Sequence, residues 1–318
     1  MTFLYDVKRT GRPPMNLALA CGNDDRTRRL INGSVGIDGH AVEVQTLPPE
    51  TMFARAFNDL AFDISELSFS TYLMHVARGT CGYAGIPVFP SRAFRHSAIY
   101  VRADGSVKTP ANLSGRVVGV RNYLNTAALV VRGLLSDVYG VAASDISWRI
   151  GDVEDVERDI IAVPDVLGDT EIKAVPRGAT LSAMLVAGEI DAIVHYNPPR
   201  GFGPAPAPIM RLFADSAAAE QTYFNETGVF PIMHLVGVRK TLLRDEPSLA
   251  WKVYDAFERA KNVLVNPAQQ ESASDRWAYG VARNRAALET LTRYAFEQGI
   301  SERQLRLDEL FVPDLMQT

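Results

Sequence analysis

Pro110-Ala-Asn-Leu-Ser-Gly-Arg-Val-Val-Gly-Val120 is a polar turn that leads directly into a short apolar strand. A second stretch, Leu185-Val-Ala-Gly-Glu-Ile-Asp-Ala-Ile-Val194, contains the end of a helix, a glycine and another apolar strand. Short apolar runs that alternate with segments of helical period are typical of a parallel sheet covered by helices. The two stretches therefore predict an α/β fold.

The same alternation continues outward in both directions. Strands are predicted at residues 15–21, 41–47, 63–67, 97–102, 116–120, 146–150, 171–175, 190–195 and 230–238. Helices are predicted at residues 25–31, from 48 onward, and at 68–78, 126–139, 180–187, 251–265, 280–298 and 301–310. The stretches 151–169 and 197–209 are predicted to be loops, the second stiffened by its prolines.

Two apolar strands, at residues 97–101 and 234–238, are separated by one complete α/β block. This arrangement predicts two lobes joined by a pair of crossover strands. The first lobe would be discontinuous, residues 1–103 plus 236–318, and the inserted lobe would span residues 104–235. A single doubly wound sheet is the competing architecture. We favour two lobes because the block between the strands is large enough for a core of its own.

Composition narrows the class of protein. The chain has 318 residues, 47% of them hydrophobic, and a net charge of -4, which gives no broad basic surface for nucleic acid or an anionic membrane. Its N-terminus lacks the pattern of a secretory signal, and no run approaches a membrane span of roughly 20 residues, so a cytoplasmic location is expected. The two cysteines, Cys21 and Cys81, suggest neither a disulfide framework nor a zinc site.

The two opening stretches resemble general signatures of type II periplasmic binding proteins, which implies that two-lobed fold with two crossover strands. A narrower resemblance to 4,5-dihydroxyphthalate decarboxylases extends along nearly the whole chain. The matching strings are GIPVFPSRAFRHSAIYV at residues 85–101, TGVFPIMH at 227–234, DRT at 25–27, DISELS at 63–68 and ELFVP at 309–313.

Three segments depart from that family's pattern. Gly22 stands where a tryptophan is expected, and His195-Tyr-Asn-Pro198 stands where a small residue and an arginine are usual. Gly151-Asp-Val-Glu154 replaces a motif rich in glycine and glutamate. All three segments are expected to face the cleft. These differences therefore affect the prediction of the exact substrate more than the predictions of the fold and the reaction class.

In α/β sheets, ligands bind outside the carboxyl ends of the strands, so the site is expected in the loops after strands. The predicted site residues are Arg26 after the first strand, Glu66, Ser68 and Ser70 after the third, Tyr123, Asn125 and Thr126 after the strand at 116–120, and His195 and Tyr196 after the strand at 190–195. For Asn125 and Thr126, capping of the following helix is an equally good interpretation.

Arg92, Arg95 and His96 form an unusual basic cluster in a predicted short loop. A solvated surface loop would explain these charges from the residues alone. The family resemblance implies instead that they bind an aromatic dicarboxylate, since two adjacent ring carboxylates need cationic or N–H-rich pockets.

The resemblance implies a cofactor-independent decarboxylation of 4,5-dihydroxyphthalate to 3,4-dihydroxybenzoate, in which an acid protonates the ring carbon that bears the departing carboxylate. An acid that titrates near neutrality points to histidine. Of the five histidines, His40 and His75 are set aside, His96 is ranked first and His234 second as the acid, and His195 is assigned to substrate contact. Glu66 is expected to be the base or the hydroxyl partner, or else a charge that complements a helix dipole.

Rival hypotheses remain at this point. A solute-binding protein for an aromatic carboxylate would share the two lobes without chemistry. A different enzyme on this scaffold could act on another hydroxylated aromatic acid. A metal-dependent decarboxylase is weaker because no spacing of His, Asp or Glu suggests a preformed metal site. The sequence leaves a homo-oligomer open.

Overall fold

A computed structural model describes residues 16–156, 166, 168–261 and 276–318 of the chain. The strands in chain order are β1 (Asn16–Cys21), β2 (Ala41–Thr46), β3 (Ile64–Ser68), β4 (Tyr83–Arg92), β5 (Ile99–Arg102), β6 (Val117–Val120), β7 (Ser147–Ile150), β8 (Ile172–Ala174), β9 (Ala192–Val194), β10 (Ile209–Arg211) and β11 (Ile232–Arg239). The helices are α1 (Arg28–Ile31), α2 (Pro49–Asp59), α3 (Phe69–Ala77), α4 (Thr126–Tyr139), α5 (Leu181–Ala187), α6 (Ser216–Thr227), α7 (Lys240–Asp245), α8 (Leu249–Lys261), α9 (Arg285–Glu297) and α10 (Leu307–Leu310).

Two separate sheets organise these elements. The first has five strands in the order β2-β1-β3-β11-β4, in which β1, β2 and β3 are parallel and β11 runs antiparallel between β3 and β4. The second has six strands in the order β10-β5-β9-β6-β7-β8, with β9, β6, β7 and β8 parallel and β5 antiparallel between β10 and β9. The predicted α/β class and its two-lobed, type II periplasmic-binding-protein-like form are confirmed.

The chain changes sheet twice, between residues 92 and 99 and again between residues 211 and 232. β5, which the sequence assigns to the first lobe, pairs within the second sheet, and the whole of β11 pairs within the first. The predicted lobe division at 103/104 and 235/236 stays a prediction. Sheet membership would move each boundary by a few residues toward the connecting segments.

Helix α4 packs against the cores of both lobes. Leu129, Val130 and Leu134 belong to the core of the first sheet, whereas Val131 and Leu135 belong to the core of the second. Residues three and four apart share a helix face, so these positions form adjacent apolar stripes. The middle of α4 is thereby held between the cores of the two sheets.

A buried arginine adds a polar connection at the same place. The Arg132 guanidinium, 1% exposed, lies 3.7 Å from the centre of the Tyr123 ring and donates from Nε to Gln298 Oε1 at 2.6 Å. Gln298 in turn donates from Nε2 to the Leu129 carbonyl at 3.0 Å. Because α9 ends at Glu297, this network ties the C-terminal region of the chain to α4.

The structure also contains elements that the sequence analysis does not predict. Strand β4 and helix α6 are absent from the predicted set, and Arg92 is the last residue of β4 and not part of a loop. The sequence pattern does not predict β4 because prolines at 87 and 90 are unusual within a strand. Proline is tolerated where strand pairing is irregular, and the register between β11 and β4 does shift. Parts of three predicted elements lie outside the described residues: residue 15 of a strand, residues 157–165 and 167 of a loop, and residues 262–265 of a helix.

In the described part of the chain, no helix is long and apolar enough to cross a membrane.

Replacement of Gly133 by alanine should destabilise the protein, although alanine normally favours a helix. A Cβ at this position would overlap the Tyr294 ring, which is 1% exposed and is fixed by a 2.7 Å bond from its hydroxyl to Asp137 Oδ2. We expect Gly133→Ala to lower the free energy of unfolding by about 1–3 kcal/mol. Urea unfolding measures this, with Ser136→Ala on the exposed face of α4 as the control. A variant at least as stable as the wild type would contradict the tight packing of α4 on α9.

Candidate active site

A histidine and a glutamate on neighbouring strands form the centre of the candidate site. The antiparallel register of β3 and β11 places His234 opposite Ser68, and Val236 opposite Glu66, so all three polar side chains lie on one face of the sheet. The His234 Nδ1 atom lies 2.6 Å from Glu66 Oε1. The His234 side chain is 19% exposed and that of Glu66 only 4%. The pair is therefore accessible to a ligand only through the imidazole.

The surroundings of Glu66 keep its carboxyl group ionised. Burial alone would raise its pKa, but the hydrogen bond and charge of His234, the Gly22 N–H and the charge of Arg26 outweigh burial and lower the pKa. The Gly22 N–H donates to Oε2 at 2.8 Å, so each carboxylate oxygen has a partner. A carboxylate held in this way orients the imidazole and stabilises positive charge on it.

The loop after β1 also contributes to the surroundings of the Glu66–His234 pair. The Arg26 guanidinium stacks 3.8 Å from the centre of the Trp277 ring and donates from Nε to the Pro90 carbonyl at 2.8 Å. It also lies 3.3 Å from Asp24 and remains 22% exposed. Nearby, burial together with the charges of Glu66 and Asp24 raises the pKa of the Cys21 thiol to about 12, so its thiolate form is disfavoured at neutral pH.

Hydrogen bonds connect this centre to the start of α4. Ser68 Oγ lies 3.1 Å from Thr126 Oγ1, and the Ser70 backbone N–H donates to the same Thr126 oxygen at 3.1 Å. Asn125 caps α4, since its side-chain oxygen accepts from the Ala127 N–H at 2.7 Å. Capping, the alternative interpretation of Asn125, is thus observed. The buried Ser70 hydroxyl has no hydrogen-bond partner among the described residues.

A cavity lies at the carboxyl ends of β6 and β9 and is closed on one side by the first turn of α2. The volume in it that the centre of a water-sized sphere can reach is about 20 Å³. Its polar lining residues are Glu50, Arg121, Asn122, Asn125, His195 and Tyr196. The cavity therefore joins Glu50, on a helix that packs against the first sheet, to residues that follow strands of the second sheet.

Arg121 connects the two sides of the cavity. Its Nε atom lies 3.2 Å from Glu50 Oε1 on α2, and its Nη1 contacts Asp152 Oδ2 after β7. Asp152 is itself held by the Glu154 and Asp155 backbone N–H groups, each 2.9 Å from Oδ1. Sequence reasoning missed Glu50 and Arg121, and it included Asp152 only as part of the segment 151–154 that was expected to face the cleft. The carboxyl-end rule that selected Arg26 could have found Arg121, because it directly follows β6.

Arg95 is a largely buried cation that faces a thioether. Its Nε lies 3.2 Å from Met233 Sδ, and among the described residues no carboxylate lies within ion-pair distance of its guanidinium. Burial lowers the pKa of Arg95 to about 10, although the charges of Tyr196 and Glu220 act in the opposite direction. A buried cation without a paired anion is a good receptor for a substrate carboxylate.

The surroundings of His96 and Arg92 differ from those of Arg95. The His96 ring is 2% exposed and packs edge-on against Phe213 and Tyr223, with centroids 5.2 Å and 5.6 Å away. Burial lowers the pKa of His96 to about 4, so its imidazolium form is disfavoured at neutral pH. Arg92 donates to the Ala278 carbonyl at 2.9 Å and to Asn284 Oδ1 at 2.5 Å, which joins β4 to the segment before α9. These contacts favour structural roles for both residues.

Of the remaining predicted site residues, two line the cavity and one is buried in a hydrophobic core. His195 and Tyr196 line the cavity, with Tyr196 46% exposed. Tyr123 is fully buried in the core of the second sheet, edge-on to Trp148 at 5.8 Å. Among the described residues, no group of three His, Cys, Asp or Glu side chains has an arrangement that could hold a metal ion. The structure thus brings together Glu66, His234, Ser68, Thr126 and Arg26, and separates Tyr123 from them.

The two sheets and the cleft between them place the chain in the class of type II periplasmic-binding-protein-like α/β proteins. A solved periplasmic sulfonate-binding protein from Methylobacillus flagellatus KT is similar in fold, with a TM-score of 0.51 and 12% identity, and covers 96% of this chain and 94% of its own. At that identity the similarity shows the fold alone. No family model matches the chain.

Two curated relatives are far more similar in sequence. A 4,5-dihydroxyphthalate decarboxylase from Comamonas testosteroni is 38% identical over 94% of this chain and 97% of its own length. A second, from Pseudomonas putida, is 38% identical over 66% of this chain and 81% of its own. The chain belongs to the 4,5-dihydroxyphthalate decarboxylase family.

The pKa of His96 predicts a specific acid sensitivity of the fold. Between its ordinary value of 6.5 and its folded value of about 4, the unfolded chain binds a proton at His96 that the folded chain does not. Stability from the neutral ring is therefore complete above about pH 6.5 and is lost as the pH falls toward 4. His96→Phe should flatten this part of the profile, as measured by the free energy of unfolding at several pH values. Equal slopes for the variant and the wild type would show that His96 is exposed to protons in the folded state.

Proposed function

We propose that this chain decarboxylates 4,5-dihydroxyphthalate to 3,4-dihydroxybenzoate in the cleft between its two sheets. Family membership supports the reaction, because both curated relatives are named for it. The observation that supports it best within the site is the 2.6 Å contact between His234 Nδ1 and Glu66 Oε1. It provides an oriented acid of the kind that this reaction needs.

The chemistry requires one proton at one ring carbon. The hydroxyl para to the departing carboxylate supplies electrons to the ring, and a proton is added to the carbon that bears the carboxylate. The resulting dienone then breaks the bond to the carboxylate, releases CO2 and becomes aromatic again. General acid catalysis of such a step contributes typically a factor of 10²–10⁴.

We assign the proton donor to His234 in place of His96. Glu66 occupies Nδ1 of the His234 ring, which leaves Nε2 to donate to the substrate. The Glu66 carboxylate has both oxygens engaged by His234 and Gly22, so it acts through the imidazole and does not itself contact the substrate. Among the described residues, His96 Nδ1 has no hydrogen-bond partner, and the ring lies among aromatic rings.

Two arginines are suited to the substrate carboxylates. Arg95 is the better candidate, because its guanidinium is largely buried and faces Met233 and no carboxylate among the described residues. Arg26 keeps part of its guanidinium exposed beside the Glu66 centre. Each can form charge-assisted hydrogen bonds to a carboxylate, and together they would offset the repulsion between two adjacent ones.

Removal of the charge on Glu66 should reduce turnover with little effect on the fold. We expect Glu66→Gln to lower kcat by about 10²-fold, and His234→Asn, which retains a partner for Glu66, to lower it by about 10²–10⁴-fold. CO2 release from 4,5-dihydroxyphthalate measures both. His75→Asn is the matched histidine control, since His75 stacks on Phe57 at 4.9 Å on α3, outside the site.

The same assay separates catalysis from simple binding. Wild-type protein that binds the dicarboxylate tightly and releases no CO2 would favour a solute-binding protein. If the wild type is active and His234→Asn keeps its kcat, the proton donor lies elsewhere in the cleft.

A further inference from the structure

We propose that Trp277 is a positioning residue that fixes the plane of the Arg26 guanidinium, so that Nη1 of Arg26 receives the carboxylate that the substrate retains. This inference rests on the proposed function and adds how one of its two arginine receptors is oriented. Trp277 does not contact the substrate in this arrangement. It sets the direction in which the N–H groups of Arg26 point, and therefore how tightly a dicarboxylate binds.

Three contacts fix the guanidinium of Arg26. Its central carbon lies 3.8 Å from the centre of the Trp277 ring, Nε donates to the Pro90 carbonyl at 2.8 Å, and Nη2 lies 3.3 Å from Asp24 Oδ1. The hydrogen bonds of a guanidinium lie in its plane, whereas the indole covers one face, so the stacking does not compete with them. Trp277 therefore sets the plane of the group, and Pro90 and Asp24 set its rotation within that plane.

One nitrogen of the guanidinium is left for a ligand. Nη1 has no hydrogen-bond or ion-pair partner among the described residues, and the Arg26 side chain is 22% exposed. Nη1 carries two N–H groups, to which a carboxylate in the same plane can bind through charge-assisted hydrogen bonds. Because the indole holds this plane before a ligand arrives, binding does not have to order the side chain.

Hydrogen bonds in the loop after β1 connect Arg26 to the proposed acid–base pair. The hydroxyl of Thr27, the next residue, donates to the Gly22 carbonyl at 2.5 Å, and the Gly22 N–H donates to Glu66 Oε2 at 2.8 Å. The charge of Arg26 also helps to lower the pKa of Glu66, which requires the two groups to be near each other. A carboxylate on Arg26 would therefore be bound beside the proposed proton donor.

Trp277 is itself held in place by its neighbours. Its ring packs edge-on against Phe230, with the two ring centres 5.6 Å apart. Arg92 donates from Nη1 to the Phe230 carbonyl at 3.3 Å and from Nη2 to the Ala278 carbonyl at 2.9 Å. Since Ala278 follows Trp277 directly, Arg92 fixes the backbone on both sides of this aromatic contact. The indole is therefore a fixed surface on which the Arg26 guanidinium lies.

The chemistry of the reaction assigns Arg26 to the carboxylate that stays on the ring. The departing carboxylate loses its negative charge as it becomes CO2, so a cation fixed on it would stabilise the substrate more than the transition state. The retained carboxylate keeps its charge throughout, and a cation on it stabilises both states equally. Loss of the orientation of Arg26 should therefore weaken substrate binding and leave kcat nearly unchanged.

Calorimetry with phthalate measures the carboxylate contact without turnover, since phthalate lacks the hydroxyl that the reaction needs. Trp277→Leu removes the aromatic face and should weaken phthalate binding about 10-fold, whereas Trp277→Phe keeps such a face and should stay within about 3-fold of the wild type. Arg26→Gln removes the receptor itself and should lose at least as much affinity as Trp277→Leu. Trp251→Leu is the matched control, because Trp251 lies 45% exposed on α8 and should leave the affinity unchanged.

A double-mutant cycle separates positioning from a purely structural role. In the Arg26→Gln background, Trp277→Leu should lower phthalate affinity by less than about 2-fold further, because the group that it orients is gone. With 4,5-dihydroxyphthalate, Trp277→Leu should raise KM about 10-fold and keep kcat within about 3-fold of the wild type. Trp277→Met, whose flexible side chain adapts to irregular space, is used in the same cycle if Trp277→Leu does not fold.

The inference is wrong if Trp277→Leu binds phthalate within about 2-fold of the wild type, or if its loss of affinity is equal in both backgrounds. It is also wrong if Arg26→Gln binds phthalate as the wild type does, or if Trp277→Leu lowers kcat and leaves KM unchanged. Failure of the proposed function is a different result. In that case the wild type releases no CO2 from 4,5-dihydroxyphthalate, and the phthalate cycle still decides whether Trp277 positions Arg26.

Discussion

The hydrogen bond between His234 and Glu66 is the constraint on which the arrangement of the cleft depends. It requires a carboxylate to be buried within a sheet, which is costly unless the carboxylate is paired. The antiparallel insertion of β11 beside β3 provides the partner, and the Gly22 N–H provides the second one. The return of the chain to the first sheet therefore completes the fold and the proposed acid–base centre at the same time.

Charge is distributed unevenly around this centre. Arg26 and Arg95 place cations beside the first sheet and the connecting segment. A ligand with two carboxylates on one edge carries the complementary charge. Electrostatic attraction can therefore contribute to substrate orientation before any shape-specific contact is made.

Most of the fold could be predicted from the sequence, because the strands of the parallel parts are short apolar runs between helices of clear period. β4 could not, since its prolines resemble a loop, and its pairing with β11 is a tertiary property. For the candidate site, the carboxyl-end rule predicted Arg26, Glu66 and His195, of which Glu66 lies within β3 itself, and the roles of all three stay predictions. Local pattern could not distinguish His96 from His234, because their difference lies in neighbours distant in sequence: aromatic rings for one and a carboxylate for the other.

The position of α4 has a consequence for how the molecule folds. Its two apolar stripes complete the two cores, and Arg132 contributes to a buried network that includes Gln298 near the chain's end. The inserted lobe produced alone would expose one of these stripes to water and leave Arg132 buried without Gln298. The two lobes should consequently unfold in a single cooperative transition, and neither should be an autonomous folding unit.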